Sequence, residues 1–375
     1  MKVKILYVID GMEFGGGERV FTQIINGLPL DQYELFLASG PKESLYQAIS
    51  QTPVQRYPID FSNRFNPTIL FHLVKIIKDH RIDIVHSQGA RTDFYARIAG
   101  RISRVQHNVC TIAMPVEGFD VSSIRKRIYR TIDCLTEKYV EKFITVSDFL
   151  NKMLIEKRGI PAAKVVRIYN GVELHRYHPD AGRGKLKKEL GIPEDVPLIG
   201  AVGRMVWQKG FEFLIKAAPA ILQAFPGARF MIVGDGPLRG KLGALSEELR
   251  VKDNVIFAGF RSDIKDVLSA IDLLVVPSLL EGFPMVTLEA MAMAKPIIAT
   301  KIDGITEQIT DGENGILVPP KDHNALSKAI LRLIQDKELS KKLGMSARKK
   351  VEQEFSVEKM VAETEKVYLS LLGTN

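Results

Sequence analysis

Cysteine and tryptophan are almost missing from this 375-residue chain, which holds two of the first and one of the second. Cys110 and Cys134 form no metal-binding or redox spacing, and two thiols cannot staple a chain this long. A disulfide framework and a zinc module are therefore excluded, and a reducing cytoplasm is the expected setting. No stretch approaches the roughly 18 uninterrupted apolar residues that a membrane span needs, and Met1-Lys2-Val3-Lys4 runs straight into a strand pattern. Neither a signal peptide nor a transmembrane helix is expected. The 18 prolines and 29 glycines are scattered, so no low-complexity linker is expected either. With 46% hydrophobic and 26% charged residues, the composition excludes a disordered chain, a collagenous repeat and a coiled-coil rod. Acids are the minority among the charges. The net +8 points to an anionic partner: nucleic acid, an anionic membrane surface or a phosphorylated small substrate.

The length exceeds what one hydrophobic core usually holds and predicts two domains. Short apolar runs recur along the first half at Lys4–Ile9, Leu35–Ala38, Ile82–Val85, Val109–Ile112 and Phe143–Val146. Such runs suit parallel strands covered on both faces. Helical spacing separates them, as in Val20, Phe21, Ile24, Ile25 and Leu28, in Ile69–Lys78, and in Phe149–Lys157 with Ser147 placed as its N-cap. The rhythm breaks near Asn170-Gly171 and resumes at Leu198–Gly203, followed by strands at Phe230–Val233, Val255–Phe257, Leu273–Val276 and Pro296–Ala299. A helix follows Gly203, and Pro219 inside it should kink or shorten it. Residues from His323 to Leu372 read as helix almost throughout. Two doubly wound, Rossmann-like α/β domains in tandem are predicted, 1–178 and 179–355, with a ligand cleft where their strand ends face each other.

Three constellations sit where such folds bind ligands. Gly15-Gly16-Gly17-Glu18-Arg19 opens the first helix, where free N–H groups favour an anion, although a sharp turn alone accounts equally well for the glycines. Arg204 and Lys209 follow the strand ending at Gly203, a planar fork and a compact charge suited to a diphosphate leaving group. Glu281 and Glu289 flank Gly282-Phe283-Pro284-Met285-Val286-Thr287-Leu288, with Glu281 in a loop and Glu289 inside the helix that Pro284 starts. Glu289 lies among apolar residues, so its carboxylate needs a partner, and a ligand hydroxyl is one candidate. The loop positions of Lys209 and Glu281 predict that their loss costs activity far more than stability.

The run Glu281 to Met291 resembles the E-x(7)-E signature of retaining GT-B glycosyltransferases, particularly family four. Gly15-Gly16-Gly17-Glu18, Asn170-Gly171-Val172, Gly203-Arg204, Lys209-Gly210, Gly234-Asp235-Gly236-Pro237, Pro277-Ser278 and Lys295-Pro296 match in order. Together they cover nearly the whole chain. The resemblance implies a GT-B enzyme that moves a sugar from a nucleoside-diphosphate sugar to a hydroxyl acceptor in surface polysaccharide or glycolipid synthesis. It implies Arg204 and Lys209 on the donor diphosphate, Glu281 on donor-sugar hydroxyls and Glu289 on the ribose. It further implies Gly16 and Gly17 near the phosphates and Arg261 beside the base. Asn170 and the run Phe283, Pro284, Met285 and Val286 join this substrate-binding set. No metal and no further cofactor is implied, since cations serve the leaving group. The final helix, 356–372, is implied to return to the first domain.

The chain departs from the family at Ala113, where many relatives carry a His, and at Ala294, where Gly is common and the change is expected to be tolerated. His107 is at the wrong spacing to replace that His, and His86 reads as a satisfied core-edge side chain. The run Ser122–Arg130 holds four cations and no acid. It fits a peripheral contact with an anionic membrane at its inner face, an acidic acceptor, or a solvated helix surface. Two rival functions remain: a GT-B sugar-nucleotide epimerase, and a non-catalytic anion- or nucleic-acid-binding protein. A nucleic-acid partner is not expected, because no aromatic-and-basic strand motif is present.

Overall fold

A computed structural model describes residues 2–11, 15–63, 66–114, 123–179 and 185–373. The chain forms two compact units, Met1–Gly171 with Val357–Asn375, and Val172–Ser356. Each is a Rossmann-like α/β domain with an all-parallel sheet. Residues 172–178, placed with the first domain on sequence, fold with the second. The Val172 N–H donates to the Phe355 carbonyl at 2.9 Å, and the Tyr177 side chain is buried in that unit.

The first unit holds seven strands: β1 (Val3–Ile9), β2 (Tyr33–Ser39), β3 (Val54–Pro58), β4 (Ile84–Gln88), β5 (His107–Ile112), β6 (Lys142–Thr145) and β7 (Val165–Arg167). Their order is β3-β2-β1-β4-β5-β6-β7, so the winding reverses between β1 and β4. β1 is buried from Ile5 to Ile9, which is why its sequence is a continuous apolar run rather than an alternation. The final helix, Val357–Leu372, belongs to this unit. Its Tyr368 hydroxyl meets the Tyr7 hydroxyl at 3.1 Å and His86 Nδ1 at 2.6 Å, while His86 Nε2 meets Thr111 Oγ1 at 2.8 Å. His86 is thus a satisfied core residue, and burial pushes its pKa down to about 3, keeping the ring neutral.

The second unit holds β8 (Leu198–Val202), β9 (Arg229–Val233), β10 (Val255–Gly259), β11 (Leu273–Val276), β12 (Ile297–Thr300) and β13 (Ile316–Val318), ordered β10-β9-β8-β11-β12-β13. Its winding reverses between β8 and β11, which leaves a crevice beyond their carboxyl ends. The helix Phe211–Ala224 continues through Pro219 for 14 residues, so the proline does not shorten it. Pro219 lies on the exposed face, while Leu214, Ile215, Ala217, Ala218 and Ile221 fix the helix to the core. The expected helix Phe149–Lys157 is α-helical over Asp148–Lys152 and π-helical over Met153–Lys157, with the Ser147 hydroxyl capping it by accepting from Leu150 N.

Ala294 has φ +51°, the left-handed region in which a Cβ is strained. Its carbonyl lies 2.1 Å from where a Cβ on Gly344 would stand. Ala294→Gly is therefore expected to stabilise the protein by about 0.5–1 kcal/mol, the relieved strain exceeding the added chain entropy. Chemical denaturation checks this, and an unchanged or lower midpoint refutes it.

Candidate active site

The loops beyond β8 and β11 bring two of the residues singled out in the sequence, Lys209 and Glu281, together in the second unit. Lys209 Nζ donates to Glu281 Oε1 at 2.7 Å, and the Ser278 hydroxyl donates to the same oxygen at 2.7 Å. Glu281 is only 4% exposed, so this carboxylate is held by a cation and a hydroxyl rather than by water. The two loops are stitched together by the Gln208 carbonyl, which accepts from Leu279 N at 2.6 Å. Thr300 Oγ1 on β12 donates to the Ser278 carbonyl at 2.5 Å and steadies the third side of this corner. Beside it lies a cavity of about 410 Å³ lined by Glu281, Lys301, Asp303 and Thr306 among others.

Glycines make these close approaches feasible. Gly210 has φ +60°, and a Cβ there would stand 2.1 Å from the Pro277 carbonyl oxygen. Gly234 has φ +127°, with the Gly203 carbonyl 2.0 Å from its would-be Cβ. The Gly234-Asp235-Gly236-Pro237 turn therefore lies directly on the loop that carries Arg204, with Met205 N donating to the Asp235 carbonyl at 2.8 Å. Arg204 itself is exposed at the carboxyl end of β8.

Pro284 sits at the N-cap of the helix Met285–Ala292, one position earlier than the first-turn site expected of it. Phe283 is 4% exposed and stacks edge-on against Phe355 at 5.3 Å, so its ring belongs to the core. Met285 is likewise buried, and Val286 is half-buried. Glu289 is 2% exposed and has found a protein partner: the Tyr177 hydroxyl donates to its Oε1 at 2.9 Å. Arg261 follows β10 and is forked onto Asp263, with Nε donating to Oδ1 at 2.8 Å. Beside it, the Phe260 ring is 70% exposed.

Three predicted residues belong to the first unit. Gly16 and Gly17 begin the helix Gly16–Gly27, whose N-cap amide, Gly15 N, is taken by Glu18 Oε2 at 3.1 Å. A Cβ on Gly17 would stand 2.2 Å from Gln88 Nε2, so the end of that side chain would have to shift to admit one. Asn170 is buried just beyond β7. Ala113 is half-buried at the end of β5, and His107 starts that strand with Nδ1 3.1 Å from Glu141 Oε2.

The basic run is only partly within the described residues. Ser122 and the side chains of Arg125 and Lys126 fall outside them, whereas Arg127 and Arg130 are exposed on the helix Ser123–Glu137. The other end of this helix is pinned to the domain by Asp133, which accepts from Arg97 Nη1 at 2.5 Å and from Arg158 Nη2 at 2.7 Å. Among the described residues, no helix is long and apolar enough to cross a membrane, and no group of three or more His, Cys, Asp or Glu is placed to hold a metal ion.

Sequence reasoning did not assign Tyr177, Arg348 or the side chain of Ser278 to the site. Ser278 could have been found as the hydroxyl three residues before Glu281. Tyr177 carries no local signal, since it is 112 residues from its partner.

Two family models match the chain: residues 14–176 match Glycosyltransferase Family 4 and residues 182–350 match Glycosyl transferases group 1. A glycosyltransferase of Methanocaldococcus jannaschii is 32% identical over 79% of this chain and 78% of its own length. The Escherichia coli UDP-Gal:alpha-D-GlcNAc-diphosphoundecaprenol alpha-1,3-galactosyltransferase is 28% identical over 99% of this chain and 98% of its own. The crystal structure of Anabaena HepE in complex with UDP and glucose superposes with a TM-score of 0.84 at 22% identity, covering 98% of this chain and all of that one, a likeness of fold. Two parallel-sheet Rossmann-like domains and these matches place the chain in the group 1 family of GT-B glycosyltransferases.

Proposed function

We propose that this glycosyltransferase takes a sugar from a UDP-sugar, with retention of anomeric configuration, and delivers it to a hydroxyl of a lipid-linked glycan in surface polysaccharide or glycolipid synthesis. The observation that carries this reading is the Lys209–Glu281–Ser278 cluster beyond β8 and β11. It offers a cation for a diphosphate and a fixed carboxylate for sugar hydroxyls. In this reading Arg204 and Lys209 neutralise the leaving diphosphate, and Glu281 orients the donor sugar. Glu289 binds the ribose, and Arg261 lies beside the base. The backbone N–H groups of Phe283, Met285 and Val286 supply donors near the helix start, with Pro284 fixing the turn between them, because the Phe283 and Met285 side chains are buried. Gly16, Gly17 and Asn170 contribute from the first unit. Leaving-group charge is handled by side chains without a metal.

UDP is supported by the UDP-bound HepE structure and by the UDP-galactose donor in the E. coli relative's name. A lipid-linked acceptor is supported by that same name and by the exposed Arg127 and Arg130, which suit an anionic membrane surface. The epimerase and nucleic-acid-binding readings gain nothing from these comparisons.

The test is a melting screen against nucleotide sugars, followed by transfer to a polyprenyl-diphosphate glycan. UDP-sugar at about 100 times Kd should stabilise the protein by about 2.7 kcal/mol, and the product linkage should keep the donor's anomeric configuration. Stabilisation by no nucleotide sugar would overturn the donor assignment. An inverted product would overturn retention.

A further inference from the structure

We infer that Tyr177 is a positioning residue for the nucleotide-binding carboxylate: its hydroxyl fixes the orientation in which Glu289 meets the ribose diol. The inference rests on the reading that Glu289 binds the ribose, and it adds a residue that sequence motifs do not mark.

Glu289 stands in the middle of the helix Met285–Ala292, where Leu288, Ala290, Met291 and Ala292 are fully buried. A carboxylate in such surroundings has no bulk water to fix its rotamer and needs donors of defined direction. The Tyr177 hydroxyl, on a residue 2% exposed, supplies one at 2.9 Å to Oε1. A phenol has a single proton, so its donation fixes the direction of one carboxylate oxygen and thereby the orientation of the whole group.

The tyrosine is itself clamped. Arg348 Nη1 donates to the Tyr177 carbonyl at 2.8 Å and also to the Ala292 carbonyl at the end of the same helix. Tyr177 N donates to the Glu173 carbonyl at 3.1 Å, closing the turn that presents the ring. Arg348 thereby ties the segment bearing the phenol to the helix bearing the carboxylate, and their separation is fixed from both sides. A buried first contact with a locked supporting group is how a binding carboxylate is pre-organised.

Tyr177→Phe keeps the ring and removes only the donor. Calorimetry of UDP and of its 2′,3′-dideoxy analogue, with wild type and variant, isolates the effect. The expected result is about tenfold weaker UDP binding by the variant, the scale of one hydrogen bond to a charged group, with no loss on the dideoxy analogue. Unchanged UDP affinity in the variant overturns the inference. Equal losses on both nucleotides also overturn it, since they mean that Tyr177 only supports the shape of the pocket. If wild type binds UDP and the analogue equally, the ribose role of Glu289 fails first. If wild type does not bind UDP at all, the donor reading fails, and this inference falls with either.

Discussion

Glu281→Gln is expected to lower the rate of transfer by about 10²–10³-fold while moving the melting temperature little. The amide has the same shape, and its oxygen can still accept from Ser278 and Lys209, so the corner between the β8 and β11 loops stays closed. It loses the charge that holds sugar hydroxyls and pairs with Lys209, and removing one preorganised electrostatic group commonly costs this much. Lys209→Ala is a different experiment. Sequence reading expects both residues to matter far more for activity than for stability, but the structure joins them. Truncating the lysine leaves a carboxylate that is 4% exposed without the cation that faces it. We expect Lys209→Ala to lose transfer and also about 1–3 kcal/mol of stability, the usual cost of stranding a buried polar group. Initial rates at saturating donor and melting curves on the same preparations decide the matter. Near-normal turnover in Glu281→Gln would remove that residue from the reaction.

Gly210→Ala should be the most damaging small substitution near the site, destabilising the second unit by on the order of 3 kcal/mol or more and abolishing transfer. Its φ of +60° is strained for any residue with a Cβ, and that Cβ would stand 2.1 Å from a backbone oxygen of Pro277. Backbone cannot swing aside as a side chain can. Relief requires the loop bearing Lys209 to part from the loop bearing Ser278 and Glu281, which breaks the 2.7 Å contact between them. Gly240→Ala is the control. Gly240 lies in the exposed helix Arg239–Glu248 with nothing within 4 Å of a Cβ, and the same change should stabilise by about 0.5 kcal/mol. Equal melting temperatures for the two variants would refute the steric argument.

The central strands were legible because they are covered on both faces and must be apolar throughout, as the Ile5–Ile9 run in β1 is. Strands β3, β7 and β13 were not read, and all three are sheet edges. An edge strand is short and partly exposed. Val54-Gln55-Arg56-Tyr57-Pro58 has only half-buried and exposed positions, so no apolar run marks it. The long C-terminal stretch read as one helical region is three helices, His323–Gln335, Lys337–Glu354 and Val357–Leu372, the second capped by the Asp336 side chain.

The candidate site divides in the same way. From residues alone came the alternating α/β plan, the placement of Arg204, Lys209 and Glu281 at strand ends, and the problem of an acid, Glu289, among apolar neighbours. These follow from periodicity and burial, which are local properties of a chain. Only the tertiary structure decided who partners whom. It paired Lys209 with Glu281 across 72 positions and gave Glu289 to Tyr177 across 112. It also set Gly210 and Gly234 against backbone carbonyls of distant loops. Those choices depend on strand order, since β8 lies between β9 and β11, which brings the loop after β8 beside the loop after β11. Strand order is fixed by the packing of whole sheets and helices, a sum of contacts that no single segment of the sequence contains.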